Sequence, residues 1–348
     1  MSDFAKQHLR AFNHALDSNR EQEPGDFRRL LTVLTDEGTD EQRAGFLSLL
    51  RGKETVAQVT EAALFLREHP RMVRVTAPEG AVDIVGTGGD GQSTFNISTA
   101  AAFVVAGAGV PVAKHGNRAV SSKSGASDVL AALGVKLDVP VATTERAIRE
   151  AGVGFLWAPN HHPAMKEWAK ARSSLGFRTI FNLLGPLCNP AFVKRQVIGV
   201  YAKEWVRPVA EVMQRLGSEH VWVVHGSDGL DELTTTGTSF VAELKGGSIR
   251  EFEVTPEAVG LERAPAGALS GGDPTANATL LRRMFRGDSD PKSARLRDIV
   301  CLNAAVAICV SGNSIGNDLT NALDEARYSI SSGAALTALE KLIAITNG

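Results

Sequence analysis

The sequence predicts an α/β protein that opens with a helical segment. Three observations carry this. Residues 1 to about 78 place apolar side chains at helical spacing and show no strand pattern. From Ala81 onward, short apolar runs alternate with helical stretches, the pattern of a mostly parallel sheet flanked by helices. The first of those runs breaks into a glycine-rich turn and a capped helix start, which is a ready anion site.

In the opening segment, Phe4, Leu9 and Phe12 recur at helical spacing. Pro24-Gly25-Asp26 interrupts the pattern, and Phe27, Leu30, Leu31 and Leu34 resume it. Residues 41–50 and 55–68 add two amphipathic helices. His8, His14 and His69 read as ordinary surface or interface residues. Apolar stripes on so small a bundle suit either packing or a dimer surface.

Residues 81–85 have strand character and stop at Gly86-Thr87-Gly88-Gly89-Asp90-Gly91. Four glycines in six residues permit positive φ and close approach of a ligand to the main chain. Asn96-Ile97-Ser98-Thr99 then supplies cap residues at a helix start whose first N–H groups are free. Gly86, Gly88 and Gly91 satisfy G-x-G-x-x-G. A dinucleotide fold wants an acidic residue about 20 positions later, where this chain has Pro111, Lys114 and His115. No Gly-Lys-Ser/Thr follows for a P-loop either. A purely structural glycine turn would not require Asp90, Asn96, Ser98 and Thr99 together.

A second apolar run, 110–113, delivers Lys114 and His115 into a polar loop with Arg118, Lys123 and serines 121, 122 and 124. That loop ends at a helix over 126–133, closed by Gly134. A helix over 143–151, a short strand at 154–157, His161-His162 as loop residues and a basic helical stretch at 163–178 follow. Residues 182–186 close that stretch. A strand at 196–201, a helix at 206–216 and a strand at 221–224 form a further β-α-β unit, which runs into His225-Gly226-Ser227-Asp228-Gly229-Leu230-Asp231-Glu232. Residues 239–244 and 248–254 read as a hairpin around 245–247, and helices at 276–285, 294–310, 319–331 and 334–345 finish the chain. Ligands of parallel sheets gather at the carboxyl ends of strands, so the loops 86–99, 114–125 and 225–236 share one rim. Cations on one loop and paired carboxylates on another suit a Mg²⁺-diphosphate substrate.

The bulk numbers narrow the classes. A chain of 348 residues with 43% hydrophobic content supports one large domain, or a large one with a small one. The formal net charge of −2 argues against an extended nucleic-acid surface. Cys188, Cys301 and Cys309 are odd in number and lack metal-ligand spacing, as reduced thiols of a cytoplasmic protein would be. No apolar run approaches membrane-spanning length, and the first residues lack a signal-peptide core.

GTGGDG…TFNIST, KHGNRAVSSKSG, HHPAMK…RTIFNLLGPLCNPA and VVHGSDGLDE, in this order, closely resemble anthranilate phosphoribosyltransferases of tryptophan biosynthesis. The resemblance runs from about Ala81 to Leu244 and continues more loosely on both sides. It implies a small helical domain, residues 1–78 completed by an excursion near 163–186, that makes a homodimer. It implies a larger α/β domain, 79–348, with the active site in the hinge cleft. The implied reaction moves 5-phosphoribose from phosphoribosyl pyrophosphate (PRPP) to the amine of anthranilate, releasing pyrophosphate. Matched residue by residue, Gly86, Gly89, Asp90, Thr94, Asn96, Ile97, Ser98 and Thr99 would hold PRPP. Lys114 would face its phosphates. His115, Gly116, Asn117, Arg118, Ala119, Val120, Ser121, Ser122 and Ala126 would wrap it. Ser98, Asp231 and Glu232 would ligate Mg²⁺, two ions per site. Gly86, Asn117 and Arg172 would meet anthranilate. Lys114, Arg172, Asp231 and Glu232 would act by charge and position, with no dedicated base.

The chain departs from the family pattern in three places. Ala126 stands where a serine is usual, so a hydroxyl is absent there. Lys170 replaces a proline two residues before the anthranilate arginine. The segment 50–55 is a residue short. Two rivals remain: a nucleoside phosphorylase of similar architecture, and a non-catalytic nucleic-acid-binding relative. Asp231-Glu232 argues against the first, since free phosphate needs no Mg²⁺-pyrophosphate ligands. The charge balance, with Arg172, Asp231 and Glu232, argues against the second.

Overall fold

The computed structural model describes residues 6–7, 9–10, 25–92, 94–118, 124–288, 290–312 and 318–348. After the short helical stretch of residues 6–7 and 9–10 come helices α1 (Asp26–Glu37), α2 (Asp40–Leu50) and α3 (Val56–Glu68). Their starts are written locally. Thr39 with Gln42, and Thr55 with Gln58, form reciprocal capping boxes ahead of α2 and α3, satisfying amide groups that a helix start leaves free.

Seven strands form one sheet: β1 (Val82–Gly86), β2 (Val112–Gly116), β3 (Val153–Trp157), β4 (Arg195–Gly199), β5 (His220–Gly226), β6 (Ser239–Lys245) and β7 (Ser248–Val254). Their order is β3-β2-β1-β4-β5-β6-β7. The first five are parallel, and β6 and β7 add antiparallel at one edge. The chain steps outward from β1 to β2 and β3, then returns to place β4 on β1's other side. This reversal creates a crevice at the carboxyl ends of β1 and β4, where Gly86 pairs with Gly199.

Between the strands lie α4 (Ile97–Gly107), α5 (Ala126–Ala132), α6 (Val141–Ala151), α7 (Ala158–His161), α8 (Lys166–Leu175), α9 (Phe181–Leu187) and α10 (Val206–Arg215). The chain ends in α11 (Pro274–Phe285), α12 (Pro291–Ser311), α13 (Leu319–Ser331) and α14 (Ala334–Asn347). Alanines 100–102 give α4 a narrow face, and it packs closely on α12 and α14. On the opposite face, Phe27, Leu31 and Phe46 from the first helices join Trp168, Ile180 and Phe181. That cluster runs on to Val85, Ile198 and Val223 of the sheet. Trp168 is fully buried and donates its indole N–H to Thr35 Oγ1 at 2.9 Å. The excursion after β3 is thereby fixed to α1.

Several boundaries differ from the sequence reading. Strand β2 continues through Gly116, so Lys114 and His115 lie within it and not beyond it. The basic stretch 163–178 is broken. A 3-10 turn, Pro163–Met165, leads into α8, and Gly176 at φ +65° ends it. His161 and His162 are buried, the first donating through Nδ1 to Val73 O at 2.9 Å, not exposed on a loop. Among the described residues no helix is long and apolar enough to cross a membrane.

Candidate active site

Three loops meet over the carboxyl ends of β1, β2 and β5, with α8 and α9 facing them, around a cavity of about 1150 Å³. Its base is set by an acidic residue inside an apolar strand. Asp83 on β1 is wholly buried. It accepts from the His115 backbone N–H at 3.1 Å and from Asn189 Nδ2 at 2.7 Å. The same Asn189 amide donates to Ala113 O at 2.8 Å, so β1, β2 and the turn after α9 are tied at one point. Burial raises Asp83 to about 6, against the opposing pull of Lys114. Lys114 is buried too and donates to Ile84 O at 2.5 Å. Burial lowers its pKa, while Asp83, Glu232 and Asp231 act to raise it. An ammonium has three donors, so two remain for oxygens in the cavity.

The carboxylates come from the loop after β5. Asp231 accepts from the Gly88 backbone N–H at 2.6 Å, and Glu232 from the Ser98 N–H at 3.2 Å. Residues more than 130 positions apart thus close one wall, with Glu232 at the start of α4, where backbone N–H groups favour negative charge. Burial is the main cause that pushes Asp231 up to about 7, with Asp90 adding repulsion. Burial and then Asp231 push Glu232 to about 8. Asp228 of the same loop has another task. It accepts from the hydroxyls of Thr234 and Thr236 and from Leu230 N, and so folds the loop itself.

Asn96 precedes α4 but does not cap it with its side chain. Its amide donates to Ser124 O at 3.0 Å and accepts from Asn277 at 2.9 Å. It therefore joins the loop after β1 to the loop before α5 and to α11. Thr94 bridges to Ser270. Ser98 at the start of α4 leaves its hydroxyl at the cavity wall beside Glu232.

On the facing side, Arg172 of α8 sits 5.5 Å over the ring of Phe181. Burial lowers its pKa, and among the described residues no carboxylate pairs with it. A guanidinium held away from water without a counter-ion is a receptor for one. His115 contacts Gly185 O through Nδ1 at 2.9 Å and meets His162 edge-on at 5.1 Å, and its Nε2 has no partner. Burial, with His162 nearby, holds His115 well below the usual imidazole range, so it is neutral at pH 7.

A family model described as the glycosyl transferase family, a/b domain, matches residues 78–336. The anthranilate phosphoribosyltransferase of Parvibaculum lavamentivorans is 57% identical over 317 residues, covering 91% of each chain. This chain belongs to the anthranilate phosphoribosyltransferase family. The family's crystal structure from Thermus thermophilus is 40% identical, with TM-score 0.87 and full coverage of both chains. A Saccharomyces cerevisiae member in complex with PRPP and Mg is 31% identical, with TM-score 0.86 over 97% of this chain and 98% of that one.

All the site residues expected from the sequence that fall within the described chain line the one cavity, from Gly86 to Glu232 and including Gly116, Asn117, Arg118, Ala126 and Arg172. Ala119, Val120, Ser121 and Ser122 lie outside the described residues. Sequence reasoning missed Asp83, Asn189, His162 and Arg178. Asp83 did leave a signal, a lone charge within the apolar run 81–85. Lys170, which replaces the usual proline, pairs with Asp40 at 3.0 Å, so the departure links α8 to the start of α2 at the surface.

Proposed function

We propose that this chain transfers the 5-phosphoribosyl group of PRPP to the amine of anthranilate, giving N-(5-phosphoribosyl)anthranilate and pyrophosphate in tryptophan biosynthesis. The observation that carries this reading is the pairing of two walls. Asp231 and Glu232, brought against Gly88 and Ser98, form a dication and diphosphate wall. Arg172, unpaired on α8, forms an acceptor wall.

PRPP lies along the loop 86–99 and the start of α5. The free N–H groups of the glycine loop and of α4 face its phosphates. Lys114 offers its two remaining donors from below. Mg²⁺ fits the donor set: two carboxylates of the cavity wall, raised by burial and by carboxylate repulsion despite the nearby Lys114, with the Ser98 hydroxyl beside them. Among the described residues no cluster of three or more acidic, histidine or cysteine side chains holds a metal alone, and Mg²⁺ commonly completes its shell with water and substrate phosphate. When bound, Mg²⁺ neutralises charge gathering on the departing pyrophosphate. We assign two ions per site, which Asp231, Glu232 and the Ser98 hydroxyl would hold.

The C1–O bond to pyrophosphate breaks as the amine nitrogen bonds to C1, the pyrophosphate leaves with the bonding pair, and the nitrogen then loses a proton to solvent. The aromatic amine is neutral near pH 7, so the barrier lies in separating charge. Arg172 grips the anthranilate carboxylate as a planar fork and holds the amine toward C1, which lowers the barrier through orientation. Asn117, which lines the cavity with Gly86, orients the ring. Neutral His115 lines the same space.

The first three helices with α8 and α9 move as the smaller domain against the sheet domain, and they provide the homodimer surface. Leu49, 44% exposed on α2, is part of it. Three buried free thiols suit a reducing cytoplasm. The test mixes protein, PRPP, Mg²⁺ and anthranilate, and follows loss of anthranilate fluorescence with pyrophosphate release. Absence of turnover overturns the reading. Cleavage of a nucleoside by phosphate installs the phosphorylase in its place.

A further inference from the structure

Arg178 lies between α8 and α9, at the head of the motif RTIFNLLGPLCNPA, and has no substrate role assigned to it there. Its guanidinium donates to the carbonyl of Gly89, across the cavity, and stacks 4.6 Å from the centre of the Tyr201 ring. Tyr201 is fixed in turn. Its backbone N–H donates to Thr87 Oγ1 at 3.0 Å, and Thr87 N–H donates to Gly199 O at 2.9 Å. On the other side of the same loop, Phe177 is stacked 4.3 Å beneath Arg51 at the end of α2. Arg178 is therefore held by its own neighbours and reaches across to the donor loop.

The consequence follows from peptide geometry. Gly88, Gly89 and Gly91 have φ of +65°, +73° and +77°, so the loop is built of residues with little intrinsic preference among conformations. The peptide joining Gly89 to Asp90 is planar and trans, so its C=O and N–H point in opposite directions. Anchoring the carbonyl on Arg178 aims the Asp90 N–H the other way. Among the described residues neither the Gly89 nor the Asp90 N–H has a protein acceptor, which is the arrangement of an anion nest awaiting its ligand.

We propose that Arg178 is a positioning residue for the donor substrate: it sets the Gly89–Asp90 peptide so that its N–H meets a PRPP phosphate, and so links the acceptor-side segment carrying Arg172 to the donor loop. This rests on the reading of the cavity as a PRPP site. Arg178 acts through the backbone of the loop, and its planar fork, not its charge alone, is what holds a carbonyl while stacking on a ring.

The test compares wild type, Arg178→Met and Arg178→Lys by steady-state kinetics in both substrates, and by calorimetric binding of Mg²⁺-PRPP without anthranilate. Loss of one oriented, charge-accepting hydrogen bond predicts a rise of roughly ten- to a hundredfold in KM and Kd for PRPP. KM for anthranilate at saturating PRPP should change less than about threefold, and Arg178→Lys should resemble Met. Tyr201→Leu, which removes the stacking surface, should move the same constants in the same direction by less. Wild-type Kd for PRPP in Arg178→Met overturns the proposal. So does full activity in Arg178→Lys, which would make the role one of charge, and so does a loss in both substrates that tracks a lowered Tm. If wild-type protein itself binds no PRPP, the functional reading fails instead.

Discussion

Gly86, the last residue of β1, faces Asp231 so closely that a Cβ on it would stand 2.9 Å from Asp231 Cγ and overlap the carboxylate oxygen. Gly199, its register partner on β4, faces the main chain of the same residue, where a Cβ would overlap the Asp231 carbonyl. Two glycines at the reversal of strand order therefore make room for one aspartate, one for its side chain and one for its backbone.

This division predicts different outcomes for two similar changes. In Gly86→Ala the side chain of Asp231 can rotate away, so the fold survives and the carboxylate is displaced. Activity should fall at least tenfold while Tm changes by no more than a few degrees. In Gly199→Ala the obstacle is backbone, and stability should fall by about 1–3 kcal/mol. Thermal unfolding alongside the fluorescence assay separates them. Equal effects from the two substitutions would mean that the loop 227–236 moves as a unit.

Arg172 offers a second test. It lies on a ring face without a carboxylate partner, so its loss leaves no protein group stranded. Arg172→Ala should raise KM for anthranilate by roughly a hundredfold, the worth of a charge-assisted bidentate contact. Arg172→Lys should recover only part of it. Kd for PRPP, measured alone, should stay within about threefold of wild type. Equal damage to both substrates would remove Arg172 from the acceptor wall.

The paired carboxylates predict a pH dependence of metal use. Asp231 is raised to about 7 and Glu232 to about 8, above the ordinary carboxylate range, because burial disfavours their charged forms. Their protonated forms are favoured in the folded protein, so ionising them costs stability progressively as pH rises toward 8. A bound dication reverses that balance. Binding of Mg²⁺ with PRPP should release protons near pH 7 and tighten as pH rises from 6 to 8. Calorimetry in buffers of different ionisation enthalpy counts those protons. No proton release would mean the carboxylates are already ionised in the metal-free protein.

How much of this was legible in the sequence depended on the range of the signal. The glycine loop, the helix start at 96–97 and the hairpin 239–254 are local patterns, and they stand where the spacing put them, although Asn96 spends its side chain on Ser124 and Asn277 and not on a cap. The rule that ligands gather at the carboxyl ends of parallel strands put the acidic loop 225–236 on the same rim as the glycine loop, but nothing within a window of residues shows that Glu232 will meet the Ser98 amide. Asn189 and Arg178 were invisible to the residue-by-residue reading. Asn189 is a polar residue in a turn until three elements converge on it, and Arg178 reads as one more charge in a basic helical stretch until Gly176 breaks that stretch and turns the next residues toward the loop. His162 was read as a loop residue for the opposite reason. Its sequence context is a polar turn, and only tertiary packing buries it beside His115.

The buried pair beneath the site gives a last prediction. Asp83 and Lys114 are both removed from water, and each lies among the other's principal charge partners. Removing one leaves the other uncompensated, which costs about 3–5 kcal/mol for buried pairs of this kind. Lys114→Met should therefore destabilise strongly at pH 7.5, where Asp83 loses the cation that favours its ionised form. The sign of the pH effect follows from the raised carboxyl. Asp83 titrates near 6 with Lys114 present and higher without it, so lowering the pH to 5 protonates it in the variant and removes the stranded charge. The stability difference between Lys114→Met and wild type should shrink from pH 7.5 to 5. Adding Asp83→Asn to Lys114→Met should recover part of the loss at pH 7.5 and little at pH 5, a coupling that a double-mutant cycle of denaturant unfolding measures. A pH-independent difference with additive effects would show that Lys114 contributes packing at the cavity floor and that its charge serves the substrate alone.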